Sequence, residues 1–186
     1  MRIIGGENRG LHLADPGRGD PAAHLRPTAD RVREAIFNLL QGGRFGDPVT
    51  GAQVLDLFAG TGALGLEALS RGAAACTFVD DGRTAGRLIR DNIARTGRTG
   101  QGTLIARDAR RLPDNPGPPA TLVLLDPPYG RGLGDAALAA ARRGGWIAPG
   151  ALIVWEEASP MPAPEGFTLA EHRRYGDTVI TLLTAA

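Results

Sequence analysis

After the first forty residues, apolar and polar positions alternate between two rhythms, short continuous apolar runs and longer stretches with apolar residues every three or four positions. Before that point, Ile3-Ile4 and Leu11-His12-Leu13 flank a Gly-rich stretch, which predicts a small hairpin followed by a loop. Val32, Ile36, Phe37, Leu39 and Leu40 follow at helical spacing behind a cap at Thr28 or Asp30, so a helix is expected over 29–40, ended by Gly42-Gly43. Strands are then expected at 53–57, 75–79, 103–106, 121–125 and 152–155, with helices at 63–71, 83–96 and 134–143 between them. Strands alternating with helices predict an α/β fold, a mostly parallel sheet covered on both faces. The end departs from this rhythm. Two runs, 167–173 and 178–183, are separated only by Arg174-Tyr175-Gly176-Asp177, a turn signal that predicts a terminal antiparallel hairpin.

The chain has 186 residues, enough for one domain of ordinary size, with no internal repeat and no linker long enough to split it. Composition narrows the class. The single Cys76 excludes an internal disulfide framework, and His12, His24 and His172 are too scattered for a metal cluster, so no metal is expected. No apolar run reaches the roughly 20 residues of a membrane span, and the start lacks the apolar core of a secretory signal. A cytoplasmic protein is the expectation.

The most informative segment is Val54-Leu55-Asp56-Leu57-Phe58-Ala59-Gly60-Thr61-Gly62-Ala63-Leu64-Gly65, which leaves a strand and opens a helix. In doubly wound sheets ligands bind at such a junction, where free backbone N–H groups converge. The glycines form a literal G-x-G-x-x-G, and Asp80 stands 20 residues beyond Gly60, so a dinucleotide fingerprint is formally met. Asp56 argues against a pyrophosphate, because an acid beside the turn repels it and favours a ligand with an ammonium or sulfonium group. S-adenosylmethionine has both, plus a ribose for Asp80 and a carboxylate for the helix N-terminus.

The second informative segment is Leu122-Val123-Leu124-Leu125 running into Asp126-Pro127-Pro128-Tyr129. Two prolines after a buried strand stop it and aim Asp126 and the prolyl carbonyls into the crevice at the sheet's carboxyl edge. Two acceptors there suit an exocyclic amine. Its lone pair is delocalised into the base, and holding its N–H groups helps it attack an incoming methyl in line. Tyr129 would stack on a base drawn out of its RNA or DNA context. A 5-methylcytosine mechanism needs an active-site thiolate, whereas Cys76 opens an expected core strand.

With these motifs in order, from Arg2-Ile3-Ile4-Gly5-Gly6 and Arg9-Gly10 through Arg26-Pro27-Thr28 and residues 30–38 to Asp126-Pro127-Pro128-Tyr129 and Tyr175-Gly176-Asp177-Thr178, the chain resembles the bacterial 16S ribosomal RNA guanine-N2 methyltransferases of the RsmD type. The resemblance runs nearly end to end. It implies a Rossmann-like class I methyltransferase fold, with a seven-stranded sheet whose last strand is antiparallel. It also implies S-adenosylmethionine as methyl donor and, as substrate, a guanine in 16S RNA of an assembling small ribosomal subunit. Residues 1–25 would be an N-terminal extension and 26–186 the catalytic domain, acting as a monomer. By the same resemblance Thr28, Asp56, Phe58, Ala59, Gly60, Thr61, Gly62, Asp80 and Asp108 would bind the cofactor, while Asp126, Pro127, Pro128 and Tyr129 would hold the guanine. Asp-Pro-Pro-Tyr serves an adenine N6 amine equally well, so an adenine methyltransferase on DNA or another RNA is the alternative.

Net charge is only +1, yet its distribution is uneven: residues 83–111 carry eight Arg against two Asp. Arg83, Arg87, Arg90 and Arg95 read as a solvated helix face. Arg2, Arg9, Arg26, Arg31 and Arg33 lie in segments expected near the cofactor mouth and are the candidates for RNA phosphate contacts.

Overall fold

A computed structural model describes residues 1–16 and 30–186. The alternating pattern becomes helix α1 (Asp30–Gln41), strand β1 (Gln53–Leu57), α2 (Ala63–Ser70), β2 (Ala75–Val79), α3 (Arg83–Arg95), β3 (Gly102–Ile105), β4 (Ala120–Leu125), α4 (Leu133–Arg143), β5 (Ile147–Glu157), β6 (Phe167–Tyr175) and β7 (Thr178–Ala185), with one 3-10 turn at Ala109–Arg111. The strands form one seven-stranded sheet in the order β3-β2-β1-β4-β5-β7-β6. β1 to β5 pair in parallel, and β7 runs antiparallel to both its neighbours.

Period-two alternation within the strands divides the core into two layers. Val54, Phe78, Leu122, Val154 and Ile180 point to one face, where Phe37, Leu66, Leu69 and Ile89 of α1, α2 and α3 cover them. Leu55, Val79, Val123, Trp155 and Leu183 point to the other, against Ala137, Leu138 and Ala141 of α4. Both faces being covered, the central strands are mostly apolar, with Asp56 a buried acid within β1.

Two elements differ from expectation. β5 is much longer than 152–155, because its first residues pair with β4 across an irregularity between Ala120 and Leu122 that absorbs Pro149-Gly150. The N-terminal hairpin is reduced to a single bridge, Arg2 with His12, supported by hydrogen bonds from Ile3 N to Leu11 O and Gly10 N to Ile3 O. Its apolar residues Ile3 and Leu13 are nevertheless buried in the α1–α3 layer.

What fastens this segment is a buried carboxylate. Glu67, in the middle of α2, is wholly buried; its two oxygens accept from Ile4 N and Gly5 N at 2.8 Å each, and Oε1 also accepts from Arg71 Nε at 2.8 Å. Arg33 of α1, equally buried, lies 3.4 Å from Glu67 Oε2, pairs with Asp30 at 2.9 Å and donates to the Arg2 carbonyl. One acid thus joins the N-terminus, α1 and α2.

Candidate active site

Pairing of β1 with β4 sets Leu57 beside Leu125, so the turns that follow, Phe58 to Gly62 and Asp126 to Tyr129, leave the same carboxyl edge as neighbours. A hydrogen bond from Asp126 N to Leu57 O ties the second to the first strand's end. The two chemical motifs, 64 or more residues apart in sequence, therefore share one crevice at the point where the sheet order reverses, from β1-β2-β3 on one side to β4-β5 on the other.

The glycine turn is sharply folded. Phe58, Gly60 and Gly62 have positive φ, and among the described residues Phe58 is the only non-glycine that does, at 60°. Left-handed backbone at a bulky residue costs energy and persists where the surroundings impose it. Here Ala59 N donates to Val79 O, Gly60 N to Asp80 Oδ2 at 2.9 Å and Gly62 N to Ala59 O. Asp80 also accepts from Gly82 N through Oδ1, and burial holds its pKa above the ordinary carboxylate value. A carboxylate has about four acceptor sites, so its two backbone contacts leave capacity for a pair of hydroxyls.

Asp56 is buried beneath this turn, and its Oδ2 accepts from Gly65 N at 2.9 Å. Among the described residues its Oδ1 has no hydrogen-bond partner. Burial raises its pKa from 3.8 to about 7, the Gly65 N–H opposing and Asp80 adding to the effect. An acid whose folded-state pKa lies above its unfolded value holds its proton longer in the folded chain. Its contribution to stability is therefore full below about pH 4 and is lost as pH rises through about 7. Asp56→Asn is expected to remove that contribution: urea unfolding at pH 5 and pH 8 should show a larger loss in the native protein than in the variant.

Gly65 has a steric role. A Cβ there would lie 2.5 Å from both Cys76 Sγ and a Phe78 ring carbon, and 3.0 Å from Asp56 Oδ2. Cys76 is buried in β2, and its thiol pKa is raised by burial, so it is a core residue as its position in the strand suggested. Gly65→Ala is expected to cost about 1–3 kcal/mol by overpacking, measurable as a lower urea midpoint at unchanged m-value.

Other expected residues are distributed as follows. Asp108 is only partly buried and caps the 3-10 turn, with Arg110 gripping both its oxygens at 2.7 to 3.1 Å and lowering its pKa. Arg26 and Thr28 lie outside the described residues. Arg2 and Arg31 are exposed, and so are Arg83, Arg87, Arg90 and Arg95, the last four along the outer face of α3.

Two of the expected phosphate contacts need correction. Arg33 is wholly buried, its guanidinium committed to Glu67, Asp30 and the Arg2 carbonyl, so it cannot reach a phosphate. Arg9 lies in the hairpin turn, which hydrogen-bonds through Glu7 N and Asn8 to Ser70 and Thr96 at the C-terminal ends of α2 and α3. Helices in this fold run against their strands, so those ends mark the amino edge of the sheet, away from the crevice.

Several residues at the site carried no local sequence signal. Asn92 is buried in α3; its Nδ2 donates to Thr61 O at 2.9 Å and to Ala14 O at 3.0 Å, and its Oδ1 accepts from Ala14 N, so it joins the glycine turn to the N-terminal segment. A polar side chain on the apolar stripe of α3 was the available clue. Glu156 and Glu157 end β5 beside the Asp-Pro-Pro-Tyr turn. Arg131 and Arg174 are exposed near Tyr129, the first two residues beyond it and the second next to the turn that brings Thr178 to its hydroxyl.

Comparison with known proteins agrees with this architecture. A family model described as conserved hypothetical protein 95 matches residues 1–184. Ribosomal RNA small subunit methyltransferase D of Escherichia coli (strain K12) is 40% identical over 156 residues, covering 84% of this chain and 74% of that protein. The protein of the same name from Haemophilus influenzae is 32% identical over 182 residues, covering 95% and 89%. The solved structure of yhhF from Escherichia coli superposes with a TM-score of 0.80 at 35% identity, over 100% of this chain and 97% of that one. A Pyrococcus horikoshii structure, at 18% identity and a TM-score of 0.67, shares the fold alone. From its first strand to its terminal hairpin, this chain belongs to the conserved hypothetical protein 95 family, the RsmD-type methyltransferases with a Rossmann-like class I fold.

Proposed function

We propose that the chain transfers a methyl group from S-adenosylmethionine to the exocyclic N2 amine of a guanine in 16S ribosomal RNA of an assembling small subunit. The observation that carries this reading is the shared crevice: β1–β4 pairing sets the glycine turn against Asp126-Pro127-Pro128-Tyr129. The kinship with proteins named ribosomal RNA small subunit methyltransferase D supplies the substrate class.

The residues present fit the donor. Asp56 offers a buried carboxylate oxygen with no partner among the described residues, suited to an ammonium group. Asp80 retains acceptor capacity for vicinal hydroxyls, and Phe58, Ala59, Gly60, Thr61 and Gly62 present backbone at the opening of α2. Asp108 would accept from an adenine amine if Arg110 shares it. Thr28 would close over the methionine end. When bound, S-adenosylmethionine supplies an electrophilic methyl on a sulfonium centre.

The rest is the work of the chain. Asp126 and the Pro127 carbonyl hold the two N–H groups of the amine, with Pro128 keeping the turn rigid, and Asp126 is the acceptor for the proton released. This is catalysis by positioning and electrostatics. Tyr129 provides the stacking surface. Arg2, Arg31, Arg131 and Arg174, all exposed, are the arginines available for phosphates; Arg26 completes the expected set. Residues 1–25 act as an extension anchored on a catalytic domain of 26–186, in a cytoplasmic monomer. No helix among the described residues is long and apolar enough to cross a membrane.

The test is methyl transfer from labelled S-adenosylmethionine to small subunits from a strain lacking the enzyme, followed by nucleoside analysis of the 16S RNA. Labelled N2-methylguanosine is the expected product. Label on adenine N6 would replace guanine by the adenine reading, and bound cofactor without label would show that the RNA is another.

A further inference from the structure

Tyr129 is gripped from two elements that follow it in sequence. Its hydroxyl donates to Glu156 Oε1 at 2.7 Å, near the end of β5, and lies 3.3 Å from Thr178 Oγ1, the first residue of β7. Glu156 is almost wholly buried, at 5% exposure, so its carboxylate is expensive to keep there unless hydrogen-bonded. The next residue, Glu157, accepts from Gly130 N at 3.2 and 3.3 Å. Successive strand residues face opposite sides of a sheet, so this pair holds the Asp-Pro-Pro-Tyr-Gly turn from both sides at once.

Such a grip matters because the turn is otherwise loosely bounded. Gly130 and Gly132 follow it with positive φ, and a surface that stacks on a base must present its ring in one orientation. Burial, reinforced by the nearby Glu156 and Asp126 carboxylates, raises the phenol pKa well above its ordinary value, so the hydroxyl stays a hydrogen-bond donor through the neutral range. It serves as a tether rather than as a base.

We propose that Glu156 and Thr178 are positioning residues: by holding the Tyr129 hydroxyl they fix the ring as one wall of the base pocket. The β6–β7 hairpin, which lies at the edge of the sheet farthest from the glycine turn's own strand pairings, is thereby a working part of the catalytic crevice. Thr178 closes the turn Tyr175-Gly176-Asp177-Thr178, and its register opposite Tyr175 delivers its hydroxyl to the mouth. This inference rests on the reading of Asp126 to Tyr129 as the catalytic turn.

The experiment compares Tyr129→Phe, Thr178→Val, Thr178→Ser, Glu156→Ala and the double variant Tyr129→Phe/Thr178→Val, with Asp126→Ala alongside. Initial rates are measured on small subunits lacking the modification, cofactor affinity by calorimetry and folding by thermal melting. Tyr129→Phe and Thr178→Val are expected to lower kcat/KM for the subunit by about tenfold, short of the roughly 100-fold loss from misplacing a reacting group. Cofactor affinity should stay within about twofold, since Glu156 and Thr178, which hold the hydroxyl, stand on β5 and β7 rather than in the glycine turn. The double variant should be no worse than the poorer single one, and Thr178→Ser should recover most of the rate. Native rates in the single variants, additive losses in the double, a serine as poor as the valine, or an effect confined to melting would each overturn the proposal. Glu156→Ala should behave as Tyr129→Phe, and if it fails to fold the threonine arm still decides. An inactive Asp126→Ala beside fully active tether variants would sink the tether alone; an active Asp126→Ala would sink the catalytic-turn reading and the tether with it.

Discussion

Asp126→Ala should abolish most methyl transfer, a drop of about 100- to 1000-fold in kcat, while S-adenosylmethionine binding is retained. The size follows from what Asp126 does: no strong base is needed, so its contribution is the orientation of a weakly nucleophilic amine and acceptance of its proton, and both vanish with the carboxylate. Retention of binding follows from the architecture, because the glycine turn, Asp56 and Asp80 are built on β1 and β2, and the backbone hydrogen bond from Asp126 N to Leu57 O survives in alanine. Asp126→Asn separates the two roles, since an amide oxygen still accepts an N–H but is a poor proton acceptor. Single-turnover rates together with calorimetry check this, and a variant that loses cofactor affinity in step with rate would refute the division of labour between the two turns.

The second large effect is on stability. Glu67→Ala is expected to destabilise the fold by about 3–5 kcal/mol, because it takes from buried Arg33 the wholly buried one of its two acids, leaving only half-exposed Asp30, and strips two backbone N–H groups of their acceptor. For a chain of this length each kcal/mol lowers Tm by about 2–4 °C, so a fall on the order of 10 °C is expected. Two controls expose the mechanism. Arg33→Met/Glu67→Leu removes both charges and should recover much of the loss, as apolar replacements of buried ion pairs often do. Arg71→Ala, at the partly exposed end of the cluster, should cost far less. If Glu67→Ala melts within about 2 °C of the native protein, the cluster does not fasten the N-terminus as described.

Such a cluster explains why sequence alone does not separate Arg33 from Arg31. Arg31 and Arg33 are two positions apart in one basic, acidic and apolar helix, and composition treats them alike. Helical geometry puts them about 200° apart around the axis, one to solvent and one into the α2 interface where Glu67 waits. Arg9 is a similar case, since its distance from the crevice depends on which ends of α2 and α3 the hairpin reaches.

The order and type of the elements were legible in the chain because each depends on nearest neighbours along it: period and turn residues set α2 and β1 to β4 nearly to the residue. Parallel pairing of the central strands followed from the alternation, and the two ligand-bearing turns could be named because each sits where a strand ends. Pairing partners of buried polar groups were a different matter. Glu67 with Arg33, Asn92 with Thr61 and Ala14, and Tyr129 with Glu156 and Thr178 join residues 27 to 78 positions apart, the first through an ion pair and the others through hydrogen bonds shorter in most cases than 3.1 Å. No local pattern encodes such a bond. It exists only because sheet register and helix packing bring the two side chains together, and burial then makes the bond obligatory.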